Sequence, residues 1–296
     1  MRIKKYTGET SEFDVDKLRI SLTKSGALVH EVDEVLDKIQ DKLYDQITTK
    51  ELYKLAFREL KHVSNSLAAR YSLKKALRDL GPTGFYFEKW VAKFLASYGY
   101  NTTTNKIIRG KAVNHEADVI AQKGDDLLWI ECKFRNMNDG KVSVTTPMYI
   151  LSRVKDISDK KHDLFGQQLQ FTQGWLVTNA ILTVDAIAFG EYYQLKLLSW
   201  EYPVHKSIKN LVDQKALYPV TCLTTINLKE KQFLLENDCI LVKEFMENQT
   251  LLNSMFKDPK KRELVLQEMT ELINYQVNDE KIYQSIFEIG SSSTVI

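Results

Sequence analysis

The change in apolar spacing on either side of Gly81-Pro82-Thr83-Gly84 constrains this chain more than any other feature. Before that cluster, residues 15–25, 32–44, 50–64 and 67–79 repeat apolar side chains at three- and four-residue intervals, the spacing of helices with one buried face. Residues 2–6 and 10–13, around Thr7-Gly8-Glu9, read as a short β pair ahead of them. Thr48 and Thr49 precede Glu51, which predicts an N-cap with a nearby acid for the third helix. After the cluster, short apolar runs alternate with helical ones. Residues 85–98, 147–154 and 184–193 read as helices, and 115–121, 127–135, 175–178 and 195–200 as strands. Strands interleaved with helices predict a mixed sheet of the α/β class. Gly and Pro together stop the fourth helix and mark a boundary. Past His205 the strand signal fades, and residues 228–237, 242–252 and 262–275 read as helices. The expected organisation is therefore multi-domain: 1–81 mostly helical with a β-hairpin, 82–205 α/β, and 206–296 helical with a frayed end over 290–296.

Composition removes several classes of function. Cys132, Cys222 and Cys239 are scattered and odd in number, with no CxxC or Cys/His cluster, so neither a disulfide framework nor a structural zinc is expected. No window approaches the roughly 18 apolar residues of a membrane span. Arg2, Lys4 and Lys5 open the chain with no apolar run behind them, which fits a cytoplasmic protein. The net charge is only +2, so any nucleic-acid contact has to come from a local patch.

The chemistry concentrates around Asp118 and Glu131-Cys132-Lys133. Phosphodiester hydrolysis uses a divalent ion held by carboxylates, and a lysine can stabilise the charge that develops. Glu131 and Lys133 lie two apart on one predicted strand, so both point to one face while Cys132 points away. A short turn brings Asp118 on the preceding strand beside them, and Leu128, Ile130, Cys132 and Phe134 are left to pack the opposite face. The competing reading is an ordinary cross-strand ion pair, worth little on a surface.

The run from Gly84 to Leu95, then Gly99-Tyr100, His115-Glu116-Ala117-Asp118-Val119-Ile120-Ala121 and Ile130-Glu131-Cys132-Lys133 resembles the catalytic core of Mrr-type restriction endonucleases. Gly174-Trp175-Leu176-Val177-Thr178-Asn179 and Thr183-Val184-Asp185-Ala186 are similar to that family's later strand and helix. The resemblance spans residues 82–202 and implies a restriction-endonuclease-like mixed sheet flanked by helices. It implies Mg²⁺ or Mn²⁺ on Asp118 and Glu131, with Lys133 positioning or activating the attacking water. Glu88 would be an outer ligand of metal or water. His115, Arg135 and Arg153 are candidate DNA contacts. Gln167, Gln168 and Gln170 fall later than the family's glutamine motif, which leaves that element unassigned.

Residues 2–81 resemble the ATP-cone, a regulatory nucleotide-binding module. The residues that carry the likeness are Ile3-Lys4-Lys5, Gly8, Glu12-Phe13-Asp14-Val15-Asp16-Lys17-Leu18, Thr49 and Ala69-Arg70-Tyr71. The resemblance implies that ATP or dATP binds through Lys4, Lys5, Asp14, Lys17, Thr49 and Arg78. No glycine-rich Walker loop occurs, so the nucleotide is expected as a regulator rather than a fuel. Together the readings predict a divalent-metal-dependent DNA endonuclease governed by a nucleotide that shifts homo-oligomeric state. The alternative is a nucleotide-sensing DNA-binding regulator whose nuclease-like core does not cut.

Overall fold

Capping side chains set where the first four helices begin. In the computed structural model, which describes residues 1–5, 8–137 and 140–275, Asp14 accepts the amides of Asp16 and Lys17 and starts the helix Val15–Thr23. Thr48 and Glu51 close a reciprocal capping box at Thr49–Val63, at the position expected from sequence. Ser64 caps Asn65–Tyr71, and Glu31 reaches back to the Leu28 amide at the start of Val29–Gln40. Leu22, Val32, Val35, Ile39, Ala56 and Leu60 from these helices form one buried cluster. The strand Arg2–Lys4 pairs antiparallel with Thr10–Glu12 and parallel with Ile47–Thr48. The β pair is thus present, although its expected residues Tyr6 and Thr7 lie outside the described residues, as does the expected frayed end at 290–296.

The fourth expected helix is two. Asn65–Tyr71 and Leu73–Arg78 are separated at Ser72, whose hydroxyl donates to the Ala69 carbonyl. Apolar spacing continues through that break, which is why periodicity alone reads a single helix. The helix expected over 242–252 is also two, Val242–Glu247 and Gln249–Met255, separated at Asn248.

The chain divides into two compact units, each with its own contacts. One comprises residues 1–73, 222–228 and the described part of 252–296; the other comprises 74–221 and 229–251. The C-terminal residues therefore contribute to both units. In the first unit, Glu268 on the helix Pro259–Ile273 is almost wholly buried and accepts the amides of Thr224 and Thr225.

The second unit is built on a five-stranded mixed sheet. Asn101–Arg109, Asn114–Lys123 and Asp126–Lys133 run antiparallel in succession, and Gln173–Thr178 and Lys196–Leu198 continue parallel to the last of them. Ile120, Trp129, Leu176 and Leu197 join Ile150, Ile157 and Ala186 in one buried cluster, which places the helices Thr145–Ile157 and Val184–Tyr192 against the sheet. Gly190 is required there: a Cβ would stand 2.6 Å from a Leu197 methyl. The helix Phe85–Ala96 contacts the first three strands. It begins at Gly84, held at φ +88°, where a left-handed residue ends the preceding turn without the steric cost of a side chain. The edge strand Asn101–Arg109 was not expected, because its Asn-Thr-Thr-Thr-Asn-Lys opening is polar and none of it is buried. The glutamines left unassigned in the sequence fall on or beside a small antiparallel pair, Lys161–Leu164 with Gln167–Gln170.

Candidate active site

Asp118 stands where two strand ladders lapse together. Thr104 pairs with Val119 and Lys106 with Ala117, but Asn105 between them, at φ +54°, is not paired with Asp118. On the other side the ladder with Asp126–Lys133 stops at Val119↔Ile130, one residue before Asp118 and Glu131 would oppose each other. The Asp118 carboxylate fills part of the gap by accepting the Cys132 amide through Oδ2 at 2.7 Å. Glu131 and Lys133 remain anchored on the far side, because Glu131 pairs with Leu176 and Lys133 with Thr178 in the parallel ladder.

Thr178 and Asn179 continue that anchoring past the end of the strand. The Thr178 hydroxyl donates to the Lys133 carbonyl at 2.5 Å. Asn179 accepts the Arg135 amide at 2.8 Å and donates to the Arg135 carbonyl at 3.0 Å, so its side chain mimics one more paired residue. Sequence reasoning assigned Thr178 and Asn179 only to a later strand. A polar pair closing an apolar strand is the signal that could have singled them out.

Four carboxylates act on one another here. Burial, then the charges of Asp118, Glu116 and Glu131, pushes Glu88 up to about 7. Burial, then Asp118, pushes Glu131 up to about 7 despite the Arg153 and Lys133 charges. Burial also raises Asp118, against the pull of the Cys132 amide and Arg153. Burial, then the charges of Asp118, Glu88 and Glu131, hold the Cys132 thiol well above its ordinary range. The Lys133 side chain makes no hydrogen bond or ion pair with the described residues, and its charge lowers both Asp118 and Glu131.

Arg153 is the cation fixed among these groups. From the helix Thr145–Ile157 it donates to Glu131 Oε2 at 2.6 Å and to the Glu116 carbonyl at 2.7 Å, and its Nε points to His115 Nδ1 at 3.4 Å. Its guanidinium lies over the rings of Trp129 and Tyr149. The other His115 nitrogen meets Asp156 at 2.7 Å. The Ala112 amide and then His115 hold the Asp156 carboxyl down at about 2. His115 and Arg153, expected as DNA contacts, are thus tied into a chain that ends on Glu131. Arg135 keeps a half-buried side chain with no partner among the described residues.

Among the described residues there is no group of three or more His, Cys, Asp or Glu side chains that could hold a metal ion; Glu131 accepts from Arg153, and Asp118 accepts from the Cys132 amide. Two carboxylates nevertheless suit Mg²⁺, which takes one or two together with waters and substrate phosphate oxygens. Their mutual repulsion is the charge that a divalent cation would offset.

The expected nucleotide residues lie apart along the chain. Lys4 sits opposite Thr48 in the parallel ladder, next to the exposed Thr49. Lys5 pairs with Glu9 at 3.6 Å and Lys17 with Asp14 at 3.3 Å, while Lys17 keeps 84% of its side chain exposed. These residues all belong to the first unit; Arg78 belongs to the second.

Comparison with known proteins adds two family matches. Residues 1–80 match the ATP cone domain, and residues 218–273 match the family described as AF1548-like, C-terminal. An uncharacterized protein of Archaeoglobus fulgidus is 34% identical over 133 residues, which are 45% of this chain and 71% of the relative. The crystal structure of AF1548, a protein of unknown function, aligns with a TM-score of 0.50 at 28% identity, over 64% of this chain and 97% of that one.

Proposed function

The chain belongs to the AF1548-like family and carries an ATP-cone at its N-terminal end, and on that premise we propose that its α/β unit is a divalent-metal-dependent DNA endonuclease regulated by the cone's nucleotide. The observation that carries this reading is the meeting of Asp118, Glu131 and Lys133 where both ladders lapse, with Glu88 within electrostatic reach. A mixed sheet with three antiparallel and two parallel strands, covered by helices, is the scaffold expected for a restriction-endonuclease-like core.

Asp118 and Glu131 would hold Mg²⁺ or Mn²⁺, which when bound polarises the phosphate and lowers the pKa of a water. Lys133, two residues from Glu131 and with no side-chain partner among the described residues, would hold that water and offset charge growing on the phosphate. Attack of the water oxygen on phosphorus breaks the bond to the leaving ribose oxygen, giving a phosphate monoester and an alcohol. The water must lose a proton and the leaving oxygen must gain one. Glu88, at about 7, exchanges a proton readily at neutral pH. Arg135 offers a fork of donors for a neighbouring phosphate.

The Glu131–Arg153 ion pair favours a second reading, in which the core binds DNA and does not cut. Incubation of plasmid with the full chain and Mg²⁺ or Mn²⁺, beside Asp118→Asn and Lys133→Ala variants, separates the two. Nicking lost in both variants supports the endonuclease; metal-independent DNA binding without nicking supports the regulator. For the cone, we propose that ATP or dATP binds near Lys4, Lys5, Lys17 and Thr49 and changes the number of subunits. Sizing with and without each nucleotide tests this, and identical profiles with identical cleavage overturn it.

A further inference from the structure

The Arg153 guanidinium is oriented by more than one partner. Three of its nitrogens point at Glu131, Glu116 and His115, and the faces of Trp129 and Tyr149 flank it. Behind it, His115 is fixed by Asp156, which also accepts the Ala112 and Val113 amides. His115 Nε2 meets Asp156, and its Nδ1 faces the Arg153 Nε–H. Arg153 and Glu131 keep only 11% and 15% of their side chains exposed, so water screens their attraction weakly. This is a positioned cation on a carboxylate that the endonuclease reading needs as a ligand.

We propose that Arg153 is the built-in counter-ion of Glu131 and competes with a divalent cation for that carboxylate. The inference rests on the assignment of Asp118 and Glu131 as metal ligands, and it adds a residue that sets how tightly the metal is held. Arg153 is a positioning residue in this scheme: it acts through Glu131. The physical argument is one of charge. A permanent cation 2.6 Å from Glu131 lowers the negative potential that attracts a second cation, and the exchange must break a largely buried ion pair. Two cations cannot share Glu131 without repelling each other. Once displaced from Glu131, the guanidinium retains its contacts to His115 and the Glu116 carbonyl, and it presents a planar fork that matches a phosphate. Metal entry would thereby prepare a phosphate contact on the neighbouring helix.

The test measures Mn²⁺ binding to the full chain by calorimetry at pH 8.5, where metal competes with Arg153 rather than with a proton on Glu131. Arg153→Met and Arg153→Gln remove the charge, and glutamine retains a hydrogen-bond donor. Both are expected to bind Mn²⁺ roughly tenfold more tightly than the wild type, the size of about one pKa unit of charge interaction. Arg153→Lys keeps the charge and is expected within about threefold of wild type. A residue that merely braces the fold would not raise metal affinity when removed. Equal or weaker binding in the two neutral variants overturns the proposal, as does a tenfold gain in Arg153→Lys. If one neutral variant fails to fold by circular dichroism, the other decides. Should the affinity pattern hold while no variant and no metal yields DNA cleavage, the counter-ion role stands and the endonuclease reading falls.

Discussion

The Asp118 carboxylate holds the backbone amide of Cys132 at 2.7 Å, taking the place of a strand carbonyl just beyond the last pair of the ladder, Val119↔Ile130. One oxygen therefore builds the site while the other is left for chemistry. Asp118→Ala leaves a buried amide unsatisfied and should cost about 1–3 kcal/mol of stability. Asp118→Asn keeps an acceptor for that amide and should stay within about 1 kcal/mol of wild type. It loses the negative charge, however, and cleavage should fall roughly a hundredfold or more. Thermal melts beside plasmid nicking separate the two effects. An asparagine variant that cuts at the wild-type rate would remove Asp118 from the mechanism.

Glu88 makes stability depend on pH in the direction opposite to a salt-bridged acid. Its carboxyl titrates at about 7 in the folded chain against an ordinary value of 4.5. Between those values the folded state keeps a proton that the unfolded state has lost, so stability falls as pH rises through that window and levels off above it. Glu88→Gln removes this contribution. The variant should be more stable than wild type at pH 8, by on the order of 1 kcal/mol after discounting for partial solvent screening, and equal to it near pH 4. Melts in the presence of a chelator, so that no bound cation contributes, check this. A constant difference across the range would show that the Glu88 carboxyl is not raised in the folded chain.

Local spacing made part of this site legible and left the rest hidden. Asp118, Glu131 and Lys133 could be read because a strand alternates faces and one short turn joins the two strands. Arg153 stands twenty-two residues after Glu131 on a helix, and nothing in the order of residues says that its guanidinium will turn to that carboxylate. His115 was visible beside Asp118, but its partner Asp156 lies forty-one residues on. The edge strand Asn101–Arg109 escaped because an exposed edge needs no apolar alternation. Ser72 breaks a helix whose apolar spacing runs on unbroken. The return of residues 222–228 to the N-terminal helices rests on Glu268 gripping two amides, a long-range contact that carries no periodic signal.

Asn179 holds in place the chain that follows the strand Asp126–Lys133. Its side chain is almost wholly buried and makes two hydrogen bonds to the backbone of Arg135. Asn179→Ala deprives an amide and a carbonyl of partners at once, and a loss of about 2–3 kcal/mol is expected. The freed segment begins two residues after Lys133, so under the proposed endonuclease reading turnover should fall about tenfold, while Mn²⁺ affinity, which that reading assigns to Asp118 and Glu131, should change little. Chemical denaturation, calorimetry and cleavage rates measured on one preparation test all three. Unchanged turnover in a destabilised variant would confine Asn179 to the fold.

The cone offers the last test, and Lys17 is the residue to change. Its side chain is 84% exposed and its ion pair is with Asp14, three residues before it on the same helix start, so little structure depends on its charge. Asp14 caps that helix through its own carboxylate, and Lys17→Gln leaves the cap intact. Stability should therefore stay within about 0.5 kcal/mol of wild type. If Lys17 neutralises a phosphate of ATP or dATP, its loss should weaken nucleotide binding about fivefold or more, with a smaller penalty at high salt because the contact is exposed. Lys5, paired with Glu9, should behave similarly. Titrating fluorescent ATP against wild type, Lys17→Gln and Lys5→Gln at two ionic strengths reads this directly. Wild-type affinity in both variants would move the nucleotide away from the hairpin and the first helix. A loss of affinity without any change in cleavage would make the cone a binding module that does not govern the nuclease.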